Sequence, residues 1–309
     1  MQRSVIVPAV AAMAVFSAAA HSQSYPSKPI RLINAYAPGG ASDVVARAFA
    51  QKLTELLGQQ VTVDPRVGAG GNIAAEIAAR SPADGYTLLM STIFLSTNQS
   101  LYSKLSWDPQ KDFAPVSMLT AAPLILCVHP SLPVKTTQEL IALAKAKPGQ
   151  LDFPSAGNGS SMHLGTELFN MMAGIKGVHV PYKGTTPGLL DLLGGRVSMM
   201  MANTLTVSQH VKAGKLRALG VTSLKRSVAL PEVPPINESG VPGYEVIQWY
   251  GTFAPAGTSR DIIGRVQGEM AKALKLNDVR EALAKDGAEP VGSTPEEFAA
   301  RVRDELVKW

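Results

Sequence analysis

The chain is 309 residues long, 46% hydrophobic and 17% charged, with 27 glycines, 22 prolines and a single cysteine. That length and apolar content suit one large or two ordinary domains and exclude intrinsic disorder, a disulfide scaffold and a metal-thiolate protein. The formal charge of +5 is scattered without a basic run, so nothing local supports a nucleic-acid partner.

The first two dozen residues read as an export signal. Arg3 precedes a small-residue apolar stretch from Val5 to Ala20, and residues 18–22 offer small side chains before a cut. The stretch falls short of the roughly 20 residues a membrane span needs. The expectation is a signal peptide over 1–22, cleaved near residues 20–22, and a soluble periplasmic protein in which lone Cys127 makes no internal bridge.

Strand-like and helix-like runs then alternate. Residues 29–36 read as a strand; Val45, Phe49, Leu53 and Leu56 share one face of a helix that Gly58 stops. Val61–Val63 and Tyr86–Met90 are further strands, with a helix from Asn72 to Arg80 between them. A second series opens near Val116. The apolar run Leu124–Val128 leads to a helix capped by Thr136 with Glu139, then strand 151–153, helix 162–173, strand 178–180 and a helix started by Pro187. Strands at 197–201 and 216–221 follow, and the chain turns proline-rich near 230–235. Strand 248–254, helices from about Ser259 and Asp278, and a last helix capped by Thr294 and Glu297 complete it. The pattern predicts two α/β domains, each a mostly parallel sheet flanked by helices. Residues 23–122 form the first part of domain 1, 123–224 domain 2, and 225–309 the return to domain 1. Two crossings make a hinge and a cleft.

Three glycine-rich loops lie between a strand and a helix: Pro38 to Asp43, Gly68 to Asn72, and Ser155 to Ser161. Glycine lets the backbone approach a ligand closely, and the helix that follows presents free N–H groups with about half a positive charge. Such turns bind anions without a charged side chain, and in open α/β sheets they lie where ligands bind. The first and third belong to different predicted domains and are expected to face one another. Dinucleotide binding fails, because Ile73 and Met162 stand where G-x-G-x-x-G needs its last glycine. No loop carries a P-loop lysine, so no cofactor is expected. The five histidines have no metal-ligand spacing, and His129 and His179 read as structural. Asp43 either pairs with Arg47, caps its helix or accepts a donor from the ligand. An exported hydrolase or isomerase using Ser160 and His163 with Asp43 stands as the alternative, although no G-x-S-x-G elbow encloses Ser160.

The chain resembles the substrate-binding proteins of tripartite tricarboxylate transporters, the Bug-type periplasmic family. The resemblance rests on strings in family order: Tyr25-Pro26-Ser27-Lys28-Pro29-Ile30, Pro38-Gly39-Gly40 with Asp43 and Arg47, and Arg66 with Gly68-Ala69-Gly70-Gly71. Asp84-Gly85-Tyr86-Thr87-Leu88, Ser155 to Ser160 with His163, and Val180-Pro181-Tyr182-Lys183-Gly184 continue it, and Thr294-Pro295-Glu296-Glu297-Phe298 closes it. It implies a two-domain Venus-flytrap receptor that hands a small organic carboxylate to membrane permease subunits, or signals through a membrane sensor kinase. It implies no catalysis and a monomer. The ligand would be gripped by Gly39, Gly40 and Asp43 of the first loop and by Ala156, Gly157, Asn158, Ser160 and His163 of the third. Ser91, Thr92, Tyr182, Thr185 and Asn203 are expected to line the cleft. Tyr36, Phe94, Tyr182 and Trp249 read either as core or as an aromatic platform.

Overall fold

The computed structural model describes residues 25–285 and 288–309; the expected signal peptide lies outside them. The elements run in the order β1 (Ile30–Asn34), α1 (Ala41–Leu57), β2 (Val61–Pro65), α2 (Asn72–Ala79), β3 (Thr87–Ser91) and α3 (Phe94–Leu101). Strand β4 (Phe113–Val128) leads into α4 (Thr137–Ala146), β5 (Leu151–Ser155), α5 (Ser161–Ala173), β6 (Gly177–Pro181) and α6 (Thr185–Leu193). Then come β7 (Met199–Asn203), α7 (Thr204–Lys212), β8 (Arg217–Val221), β9 (Ile247–Pro255), α8 (Arg260–Ala273), α9 (Asn277–Lys285), β10 (Glu289–Pro290) and α10 (Pro295–Lys308).

Alternation along the strands divides the first lobe into two apolar layers. Ile30, Leu32, Leu88 and Met90 face one side with Val45, Phe49 and Leu53 of α1, Val266 and Met270 of α8 and Leu283 of α9. Ile33 and Leu89 face the other, with the alanines of α2, Phe94 of α3 and Phe298 of α10. The helices hold their ends as their sequences suggest. Gly58 is left-handed (φ 68°) behind α1, and Thr294 and Glu297 form a reciprocal capping box before α10. The second lobe has its own core, built from β4, β7 and β8 with α4, α5 and α6.

The sheets are mixed rather than mostly parallel. β1 pairs in parallel with β2 and β3, and β5 with β6, but β9 runs antiparallel to both β3 and β4. β7 and β8 also run antiparallel to β4. The cause is β4, of which the sequence shows the apolar run Leu124–Val128 and which is one strand of 16 residues. Over Phe113–Pro123 it pairs with β9 in the first lobe, with bulges near Pro115 and Met118. Over Leu124–Val128 it lies between β7 and β8 in the second. Pro123, which has no N–H to donate, sits where the partners change.

Buried Thr222 stitches this crossing to the returning one. Its Oγ1 accepts from Leu124 N at 2.7 Å and donates to the Val246 carbonyl at 2.6 Å, while its own N–H and C=O bond Leu124 O and Val246 N. Thr222→Val would strand a buried N–H and a buried C=O, each worth about 1–3 kcal/mol. The expected result is a stability loss of about 2–4 kcal/mol, read from the urea midpoint at an unchanged slope.

Two helices have no counterpart in the sequence reading. α3 carries Ser, Thr and Asn, which are poor helix formers, and its first five residues are all buried, so tertiary packing overrides propensity and no polar stripe marks it. α7 follows β7 without a turn residue between them. Residues assigned by sequence to the returning section also pack elsewhere. Leu230, Val233, Ile236, Val241, Tyr244 and Val246 are buried in the second lobe's core.

Candidate ligand-binding site

The first glycine loop joins β1 to α1. Gly39 takes φ +84°, and its N–H donates to Asp43 Oδ2 at 3.0 Å, where Arg47 Nε also donates at 2.8 Å. Asp43 thus braces the loop and pairs with Arg47; its second oxygen, Oδ1, is buried with no protein partner. α1 starts at Gly40 with no side chain accepting from its first turn, which leaves that turn open to an anion. Ser42 Oγ donates to Asn34 Oδ1 at 2.7 Å. The Tyr36 hydroxyl lies 2.9 Å from Thr92 Oγ1, tying the loop to the end of β3, and burial raises its pKa. Ser91 is buried beside it, its hydroxyl donating to the Thr92 carbonyl at 3.2 Å.

The third loop, between β5 and α5, is held by its own side chains. Gly157, at φ +122°, donates its N–H to Ser155 Oγ at 3.0 Å, and Ser155 Oγ lies 2.6 Å from His179 Nε2. Gly159 N donates to His163 Nδ1 at 3.3 Å. The His163 and His179 rings stack at 3.9 Å, with Phe153 on the far side of His179 at 5.2 Å. His179 therefore belongs to the loop's framework, a role hidden in the sequence because the β5–β6 register sets His179 beside Phe153. Ala156 packs on the second core and Asn158 is exposed.

Burial, and after it the charge of His163, pushes the His179 imidazole down to about 4, and burial lowers His163 as well. Both rings take protons more readily in the unfolded chain. Their contribution to stability is therefore full above about pH 6.5 and is lost as the pH falls towards 4. The melting temperature should drop across that window, and drop less in His179→Gln. An identical pH profile for variant and wild type would contradict the assignment.

The hydrolase constellation does not assemble. Ser160 caps α5, its Oγ accepting from the backbone N of His163 at 3.3 Å. The His163 ring serves Gly159, and Asp43 serves Gly39 and Arg47. Removing the cap in Ser160→Ala should lower stability by about 0.5–2 kcal/mol, checked by chemical denaturation.

The remaining expected lining residues have protein partners of their own. Tyr182 donates its hydroxyl to Asp191 Oδ2 at 2.5 Å, towards α6, and only its backbone carbonyl abuts Gly157. Thr185 opens α6 with its hydroxyl 3.5 Å from Met162 Sδ. Asn203 Nδ2 donates to the Tyr250 hydroxyl at 3.0 Å, linking β7 to β9. Phe94 and Trp249 are fully buried core.

Contacts between the lobes involve the second loop. A Cβ added at Gly70 would lie 2.9 Å from the Asn158 carbonyl oxygen, and one at Gly159 would lie 2.7 Å from Asn98 Oδ1. Ser161 Oγ of α5 donates to Gln248 Oε1 of β9.

A family described as the tripartite tricarboxylate transporter family receptor matches residues 45–309. The chain belongs to this family. It is 39% identical to protein BugT of Bordetella pertussis, over 96% of this chain and 92% of that one. A solved R. palustris protein with adipate superposes with a TM-score of 0.87 at 38% identity, covering 92% of this chain and 96% of that chain. MatC of Rhodopseudomonas palustris, with bound malate, gives 0.86 at 31% identity, covering 92% and 98%. The receptor's two-lobed α/β architecture is that of these solved proteins.

Proposed function

We propose that this receptor captures a small organic carboxylate between its lobes in the periplasm and delivers it to the membrane subunits of a tripartite transporter, without transforming it. The observation that carries the reading is the uncapped start of α1, set beside the exposed Gly39 loop and the Tyr36–Thr92 pair. It occurs in a fold whose relatives hold adipate and malate.

Carboxylate oxygens would accept from the first-turn N–H groups of α1 and from the Tyr36 and Thr92 hydroxyls. The other end of the ligand would meet the third loop, where Gly157 and Gly159 spend their N–H groups on bracing. Ala156, Asn158 and the start of α5 at Ser160 would then face it. Hydrogen bonds to charged groups contribute about 1.5–3 kcal/mol each. A few of them, less ordering costs, reach micromolar affinity, about −8 kcal/mol. The lobes would exchange at Pro123/Leu124 and at Val246/Ile247, with residues 225–246 moving with the second lobe, as their packing there supports.

A thermal-shift panel of adipate, malate, citrate and phthalate tests the reading. A ligand at a hundredfold excess over its Kd stabilises by about 2.7 kcal/mol, so at least one member should raise the melting temperature by several degrees and emerge from the incubation unchanged. Chemical conversion of any member would favour the hydrolase alternative.

A further inference from the structure

We propose that the shut form is held by a seam in which glycine main chain leaves no room for a side chain, the second glycine loop and α3 on one lobe and residues 158–159 on the other, so that Gly70 and Gly159 set how far the receptor closes. The inference rests on capture by closure and adds the surface on which closure stops.

Both sides of the seam are rigid. On the first lobe, Asn98 is fully buried and pinned, its Nδ2 donating to Gly70 O at 3.0 Å and to Asn72 Oδ1 at 2.7 Å. These two bonds fix α3 against the second loop, whose residues Gly68 to Gly71 all take positive φ. Asn98 Oδ1 is left buried without a hydrogen-bond partner, pointing at Gly159. On the second lobe, Gly159 is buried and anchored through its N–H to His163.

No side chain fits between them. A Cβ at Gly159 would meet Asn98 Oδ1 at 2.7 Å and Leu101 Cδ1 at 3.0 Å; one at Gly70 would meet the Asn158 carbonyl at 2.9 Å and the Tyr102 hydroxyl at 2.7 Å. The Asn158 oxygen is backbone and has no rotamer to change, and Asn98 cannot swing away without breaking two hydrogen bonds. A side chain at either glycine is therefore a wedge whose easiest relief is rotation of the lobes about the two crossings.

The test is small-angle scattering on the unliganded chain for wild type, Gly70→Leu, Gly159→Leu and Gly214→Leu. Gly214 also takes positive φ (+68°) but has nothing within 4 Å of an added Cβ, so it reproduces the backbone strain without the wedge. The expected result is a larger radius of gyration in both seam variants and an unchanged one in the control. Gly159→Ala serves in place of the leucine variant if that chain does not fold. Calorimetry with whichever panel carboxylate binds wild type should show at least a tenfold loss in Gly159→Leu. Equal radii across all four proteins would overturn the seam. Failure of wild type to bind any carboxylate would remove the proposed function, while the scattering comparison would still decide the seam.

Discussion

Gly157→Pro should abolish carboxylate binding while the chain keeps its fold. Proline holds φ near −65°, whereas Gly157 sits at +122°, so the third loop cannot keep its path. The substitution also deletes the N–H that Ser155 Oγ receives, and Ser155 is the link to the His179–His163 stack. The loop thus loses its shape and its brace together. Forfeiting two hydrogen bonds to a charged ligand corresponds to an affinity loss of a hundredfold or more, roughly 3 kcal/mol. Gly39→Pro, at φ +84° with its N–H on Asp43, should do the same from the other lobe. Titration calorimetry with circular dichroism as the fold control checks both, and undiminished affinity in the two variants would refute a grip by these loops.

Phe298→Ala should be among the most destabilising single changes in the chain. The ring is fully buried on α10, 4.7 Å from Phe253 and edge-on to Trp249 at 5.3 Å. It lies so close over Gly251 of β9 that a Cβ there would fall 2.2 Å from it. Truncating a buried Phe costs about 3–5 kcal/mol. Gly251→Ala alone should cost about 1–3 kcal/mol by overpacking. The double variant should be more stable than the sum of the two, because the new methyl enters the space the ring vacated. Urea denaturation of the four proteins completes the cycle, and strict additivity would contradict the contact.

What the sequence disclosed follows from locality. Helix α1 was legible because Val45, Phe49 and Leu53 recur on one face and Gly58 ends it; α10 was legible because its capping box lies within four consecutive residues. The glycine loops stood out for the same reason. Long-range pairing is not legible: Pro115 and Pro123 occupy a bulge and a change of partner inside one strand, and no local signal marks either. The antiparallel course of β9 depends on that strand, so sheet polarity is not legible from local pattern either.

The candidate site divides along the same line. Gly39, Asp43 and Ser160 stand out in the sequence because turn and cap chemistry is local. The partners of structural His179 and of Asn98 are not legible, since Ser155 and Gly70 stand 24 and 28 residues away and nothing in their spacing indicates contact. Of the three roles open to Asp43 in the sequence, the structure shows the pairing with Arg47 and adds the bracing of Gly39, with one oxygen unpartnered.

The most direct measurement is a crystal structure of the protein with the carboxylate that stabilises it. Carboxylate oxygens are expected within hydrogen-bond distance of the first turn of α1 and of residues 156–160, with Gly70 packed against Asn158. A ligand bound outside the cleft, or held by one lobe while the other stands away, would contradict that expectation.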